Sequence, residues 1–236
     1  MTAAAFPKGL APGLYAITDS NLLPDDKLLP AVEASLRGGA VLIQYRDKSS
    51  SAATRLTQAR NLVAACRNAG VPLIINDDPE LAQRVGADGV HLGQSDSSLV
   101  NARQRLGEDA IIGATCHGDL TLAAKATGEG ADYLAFGRFF GSGTKPDAPP
   151  AELSVLAEAR QYQRPLTAIG GITTGNGGSL IQAGADMLAV VGDLFGGNPD
   201  YTERQAREFA RLFAAHHPLF QPRKNIHDTF SNHQEP

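Results

Sequence analysis

The stretch "GADGVHL" (86–92) returns as "GADYLAF" (130–136) and "GADMLAV" (184–190), and a looser copy, "GGAVLI", stands at 38–43. In each, a glycine can take the left-handed conformation that ends a helix, and an apolar run begins about two residues later. Around these junctions the chain holds eight short apolar runs: "LYAIT" (14–18), "VLIQY" (41–45), "PLIIN" (72–76), "GVHLG" (89–93), "IIGAT" (111–115), "YLAFG" (133–137), "LTAIG" (166–170) and "MLAVV" (187–191). The four junctions each precede an even-numbered run. The runs are continuous rather than alternating, which suits parallel strands covered on both faces. Helical patterns lie between them, such as "ATRLTQARNLVAACRNAG" (53–70), with Leu56, Ala59, Leu62, Val63 and Cys66 at helical spacing. Eight strand–helix units with short connections predict an α/β fold, a single (β/α)8 TIM barrel over residues 13–216. A doubly wound open sheet is the alternative. Residues 1–12 read as an N-terminal extension and 217–236 as a mobile polar tail.

Size and composition agree with one catalytic domain. The chain has 236 residues, 42% of them hydrophobic and 19% charged. A net charge of −4 with no block of like charges speaks against a nucleic-acid face, though a local basic pocket is compatible with it. No apolar run reaches the roughly 18 residues of a membrane span, and the N-terminus lacks a signal-peptide core. Cys66, in a helical pattern, and Cys116, at a strand end, do not form a disulfide framework, so a cytoplasmic setting is expected. The tail holds three of the six histidines at irregular spacing, which makes a poor metal site. The oligomeric state stays open, with a homo-oligomer compatible.

In this fold the active site gathers at the carboxyl ends of the strands. The second run ends in Gln44, Arg46 and Lys48. Alternation along an extended backbone puts these on one side, with Tyr45 and Asp47 on the other. Two cations and an amide facing one pocket suggest an anionic ligand; solvated loop charges are the alternative. The third run ends in Asn76, Asp77 and Asp78, and Asp96 follows the fourth. Two carboxylates without a Cys/His cluster suit Mg²⁺, which takes one or two carboxylates plus phosphate oxygens and water. Helix capping is the competing role, stronger for Asp78 and open for Asp77 and Asp96. His91 reads as a barrel-layer histidine and His117 as an orienting one. After the sixth run, Ser142, Gly143, Thr144 and Lys145 offer hydroxyls, backbone N–H groups and a cation, a phosphate-cradle composition without Walker spacing. Gly170, Gly171 and Gly192, after runs seven and eight, would let an anion approach the backbone. Two anion centres follow, one for a diphosphate and one for a monophosphate.

The combination "QYRDK" (44–48), "IIND" (74–77), "GVHLGQSD" (89–96), "IIGATCH" (111–117), "SGTK" (142–145) and "AIGGI" (168–172) resembles the thiamine-phosphate synthase family from about Gly13 to Phe213. The resemblance implies a Mg²⁺-dependent TIM-barrel transferase that joins a hydroxymethylpyrimidine diphosphate to a thiazole phosphate and releases diphosphate. It assigns Gln44, Arg46, Lys48, Asn76, Thr115 and Lys145 to the pyrimidine diphosphate, with Arg46, Lys48 and Lys145 catalytic. It gives Asp77 and Asp96 to Mg²⁺, and Ser142, Thr144, Gly171, Val191 and Gly192 to the thiazole phosphate. Family members are thought to react dissociatively, so the protein's task is to stabilise charge on the leaving group.

The sequence departs from the family pattern at a few places. Thr115 stands where the family usually has serine, and Ser142 where it has threonine; each keeps a hydroxyl. "RFFGS" (138–142) replaces the common "PVFPT", and Gly192 replaces a frequent serine. Two other functions compete: a thiazole tautomerase of the same fold, with His117 as its proton-transfer group, and a non-catalytic phosphate-ligand sensor. Neither needs Gln44, Arg46, Lys48, Asp77 and Asp96 together.

Overall fold

The aspartate of each "GAD" copy explains why that stretch recurs. Asp88 donates its N–H to the carbonyl of Leu73 (2.9 Å) and accepts the Leu73 N–H on its side chain (2.8 Å). Asp132 does the same to Ile112, at 2.7 and 2.8 Å, and Asp186 to Leu166, at 2.8 and 2.8 Å. Each aspartate therefore clips the start of its own strand to the start of the preceding one. The glycines before them are left-handed, with φ of 66° at Gly86, 87° at Gly130 and 120° at Gly184. In the looser copy Gly39 takes that role (φ 103°). Gly38 is small for a different reason: a Cβ there would overlap Ala206 of the last helix.

The computed structural model describes residues 6–141 and 150–222. Eight strands, β1 (Gly13–Ile17), β2 (Leu42–Tyr45), β3 (Leu73–Asn76), β4 (Gly89–Leu92), β5 (Ile111–His117), β6 (Tyr133–Phe136), β7 (Leu166–Ile169) and β8 (Met187–Val190), close in chain order into a barrel. All neighbouring pairs are parallel, β1 with β8 included. The open-sheet alternative is thereby excluded. Helices α1 (Asp25–Arg37), α2 (Ala52–Ala69), α3 (Pro79–Val85), α4 (Leu99–Leu106), α5 (Leu120–Gly128), α6 (Ser154–Ala159) and α7 (Gly177–Ala183) follow the first seven strands. A short α8 (Gly192–Phe195) and a long α9 (Pro199–His216) follow the eighth. Among the described residues no helix is long and apolar enough to cross a membrane.

Strand residues divide between two cores with a period of two. Ile43 and Tyr45 face the helices, where Leu62, Val63 and Cys66 of α2 also pack. Leu42, Ile74, Ile111, Tyr133 and Met187 fill the barrel interior. Both cysteines are free and buried, and burial pushes each thiol up to about 12. Cys116 lies within β5 rather than at a strand end, because β5 runs on through a register shift to His117.

Both outer boundaries drawn from the sequence pass through packed residues. Leu10 is buried in the interior cluster with Phe6 and Ala11 against it. Lys8 reaches Asp132 (2.8 Å) and the Ala110 carbonyl (2.8 Å) at the amino end of the barrel. Residues 6–12 thus pack against the amino end of the barrel. At the other end His217 is buried, its Nε2 3.1 Å from Asp186, and Phe220 packs against Phe213. The start of the polar tail is docked because it supplies a partner to a buried carboxylate.

Candidate active site

The ends of β1 and β2 are tied together before any side chain reaches the mouth. The Arg46 N–H donates to the Thr18 hydroxyl oxygen (2.9 Å), and that hydroxyl donates to the Arg46 carbonyl (3.3 Å). The next residue, Asp19, is 7% exposed and sits 2.9 Å from Arg46 Nη1. Its other oxygen accepts the Asn21 N–H (3.0 Å), which fixes the carboxylate. Arg46 is thus aimed from one side and keeps further donors of its planar fork for the mouth. Neither Thr18 nor Asp19 was a candidate from the sequence. Their signal was the polar "TDS" at the end of the first run, the same kind of ending that marked the second.

The predicted alternation at β2 holds. Tyr45 packs outward, and Asp47 turns away to accept the N–H groups of Ser49 (2.8 Å) and Ser50 (2.9 Å). Burial works to raise the Asp47 carboxyl, but the Ser49 and Ser50 hydrogen bonds outweigh it and hold the group at about 2. On the inner side, Gln44 is buried and Lys48 is exposed, its Nζ 3.3 Å from Asp77 Oδ2. Each of the two cations already has a carboxylate of the chain's own beside it. Asp19 faces Arg46 and Asp77 faces Lys48.

Asp77 has a left-handed backbone (φ 61°), and its N–H donates to the His91 carbonyl (2.9 Å), pinning the end of β3 to β4. Asp96 accepts the Gly93 N–H (2.7 Å). Its carboxyl is pushed above the usual value, first by burial and then by its hydrogen-bonding contact with Asp77, with the Gly93 N–H and then Lys48 opposing. The competing cap role is settled by the helices themselves. Asp78 caps α3 through the Leu81 N–H (2.8 Å), and Ser98 caps α4 through the Asn101 N–H (3.1 Å). That leaves Asp77 and Asp96 as two carboxylates turned toward each other, an arrangement that a cation would relieve. No cluster of three or more His, Cys, Asp or Glu ligands occurs among the described residues, so an ion here would complete its shell from substrate and water.

Asn76 ends β3 beside His91 in the β3–β4 register. Thr115, half-buried on β5, accepts from or donates to His91 Nε2 at 2.9 Å. His91 is the barrel-layer histidine expected, stacked on Tyr133. His117 ends β5 with a left-handed backbone (φ 51°), and its carbonyl accepts the Gly137 N–H (2.9 Å).

Gly171, Val191 and Gly192 lie after β7 and β8, joined across the loops by the Thr174 N–H donating to Asp193 (3.3 Å). Burial raises the Asp193 carboxyl, with the Thr174 bond opposing. Gly170 and Gly171 are left-handed, at 105° and 62°. Their smallness has a cause that needs no anion. Phe139 and Phe140 donate to the carbonyls of Ile169 (3.2 Å) and Gly170 (3.0 Å), pressing the segment after β6 onto them. A Cβ on Gly171 would overlap the Gly141 carbonyl. Gly192 has open space around its Cβ position, so a serine would fit there. Ser142, Thr144 and Lys145 lie outside the described residues.

A closed parallel barrel with cations and paired carboxylates at the carboxyl ends of its strands has the layout of a (β/α)8 enzyme. The thiamine monophosphate synthase family model matches residues 14–194. The chain is 63% identical over 211 residues to a thiamine-phosphate synthase of Marinobacter nauticus, covering 89% of this chain and 95% of that one. It is 54% identical over 203 residues to the thiamine-phosphate synthase of Alcanivorax borkumensis, covering 85% and 94%. The thiamine phosphate pyrophosphorylase structure from Pyrococcus furiosus superposes with a TM-score of 0.78 at 29% identity, over 86% of this chain and 96% of that one. The chain belongs to the thiamine-phosphate synthase family, transferases of thiamine biosynthesis.

Proposed function

We propose that the chain joins a hydroxymethylpyrimidine diphosphate to a thiazole phosphate, releasing diphosphate, with Asp77 and Asp96 holding Mg²⁺. The observation that carries this reading is the pair of facing carboxylates set beside Lys48, with Arg46 aimed by Asp19. A diphosphate brings several negative charges, and a site for it needs cations that stay in place as bonds break. Arg46 supplies a planar donor fork and Lys48 a mobile point charge. Mg²⁺ bound between the carboxylates would neutralise charge on the departing diphosphate. Gln44, Asn76 and Thr115 would orient the pyrimidine diphosphate with their amide and hydroxyl groups. Gly171, Val191 and Gly192 would hold the thiazole phosphate together with Ser142 and Thr144, and Lys145 would serve the pyrimidine diphosphate. The reaction then needs no protein nucleophile; the chain's residues bind, orient and stabilise the leaving group.

The test is incubation of the purified chain with both substrates and Mg²⁺, with product read by mass. Thiamine phosphate formed only when both substrates are present supports the reading. Conversion of a thiazole phosphate isomer without condensation would instead support the tautomerase alternative, and binding without turnover the sensor.

A further inference from the structure

Five side chains form one continuous hydrogen-bonded path through the upper barrel. Gln44 Nε2 donates to the Tyr15 hydroxyl. The Tyr15 and Tyr133 hydroxyls are 2.8 Å apart, Tyr133 lies 2.8 Å from His91 Nδ1, and His91 Nε2 lies 2.9 Å from Thr115 Oγ1. The path begins and ends on residues proposed to hold the pyrimidine diphosphate, yet its middle is away from solvent. Tyr15 is 1% exposed and Tyr133 0%. Room for it is made deliberately in the packing: a Cβ on Gly113, the β5 glycine next to Tyr133, would overlap the phenol ring.

A buried hydroxyl proton must have an acceptor, and that requirement gives the path a direction. With Gln44 donating to Tyr15, the Tyr15 proton goes to Tyr133. The Tyr133 proton then goes to His91 Nδ1, so the imidazole carries its own proton on Nε2. That N–H donates to Thr115 Oγ1. The threonine oxygen is engaged as an acceptor, and its proton is left for the half-exposed mouth. Burial pushes both phenols above their ordinary value, which keeps them protonated and able to donate.

We propose that the path Gln44–Tyr15–Tyr133–His91–Thr115 fixes the Thr115 hydroxyl as a donor toward the departing diphosphate, with Tyr15, Tyr133 and His91 as positioning residues. A free hydroxyl can donate or accept, whereas diphosphate oxygens only accept. A donor whose direction is set before the substrate arrives costs no reorganisation during reaction. The role given to Thr115 rests on the proposed diphosphate reading; the direction of the path does not.

The experiment separates these. Nitrogen-15 NMR of the full-length, ligand-free protein near neutral pH reads the His91 tautomer, with His91→Gln assigning the signals. The expected result is a protonated Nε2 and a bare Nδ1. An Nδ1–H tautomer or an imidazolium would overturn the proposal, whatever substrate the enzyme uses. Tyr133→Phe keeps the ring and breaks the path. It should lower kcat/KM for the pyrimidine diphosphate by roughly 10–100-fold, the loss of one oriented donor. KM for the thiazole phosphate should stay within about twofold of the parent, since a purely structural defect would move both substrates. Tyr15→Phe breaks a different link and serves if the first variant does not fold. Parent-like constants in whichever folded variant is measured, or equal losses for both substrates, would overturn the proposal.

Discussion

Lys48 Nζ lies 3.3 Å from Asp77 Oδ2, and Asp77 in turn contacts Asp96. One lysine therefore serves as counter-charge to the acidic pair and stands ready for a diphosphate that would share the same mouth. With 59% of its side chain exposed, Lys48 has little to contribute to stability. Lys48→Ala should melt within about 0.5 kcal/mol of the parent. A desolvated phosphate contact is worth about 1.5–3 kcal/mol, so kcat/KM should fall by about 10–100-fold. Steady-state kinetics beside a thermal melt check both, and equal activity in mutant and parent would remove Lys48 from the site.

Asp19 acts on Arg46 rather than on substrate. Asp19→Asn keeps an acceptor for the Asn21 N–H and removes the charge that holds the guanidinium. We expect a folded protein with kcat/KM reduced by about 10-fold or more, because a cation displaced by a fraction of an ångström stabilises the leaving group less well. Parent-like kinetics would show that Arg46 needs no such guide.

At the opposite end of the barrel, Asp186 is 1% exposed and holds Leu166 N–H, Arg160 and His217. Asp186→Ala strands the Leu166 N–H and His217 in the interior, while the part-exposed Arg160 can turn to solvent, and should cost about 1–3 kcal/mol for each buried group left without its partner. Denaturant unfolding measures the loss. Turnover per folded molecule at low temperature should be unchanged, because the clip lies far from the strand ends that carry the chemistry.

Asp47 gives a pH signature. Its folded value, about 2, is below the unfolded 3.8. The depressed value means that its stabilisation is fully present above about pH 4 and is lost as pH falls toward 2. The parent should thus melt above Asp47→Asn at pH 7, and the gap should close between about pH 4 and 2. A gap that is constant with pH would mean that the charge contributes nothing.

The barrel was legible because strands buried on both faces are continuous apolar runs, and because the repeat marked where helices end. What the repeat's aspartate does was visible only as recurrence. Its partner is an N–H at the start of the preceding strand, which no local pattern specifies. The same limit hid Asp19, whose partner Arg46 lies 27 residues away. Tyr15 and Tyr133 read as apolar strand residues, since the sequence gives no sign that two phenols meet across the barrel. Asp78 was legible as a cap from "DDPE", whereas Asp77 and Asp96 were separated from capping only by seeing Ser98 take the second cap. Gly171 shows the converse. Its sequence context suggested an anion, and its packing against Gly141 gives an independent reason for glycine.

On the proposed function, Asp77 and Asp96 hold a metal rather than a structural position. Asp→Asn at either site keeps an oxygen and removes a charge. A Mg²⁺ titration of turnover, set beside a thermal melt in chelator, tests it directly. Both variants should need far more Mg²⁺ than the parent while melting at or slightly above the parent temperature without metal, because carboxylate repulsion has been removed. Parent-like Mg²⁺ dependence in both variants would contradict it.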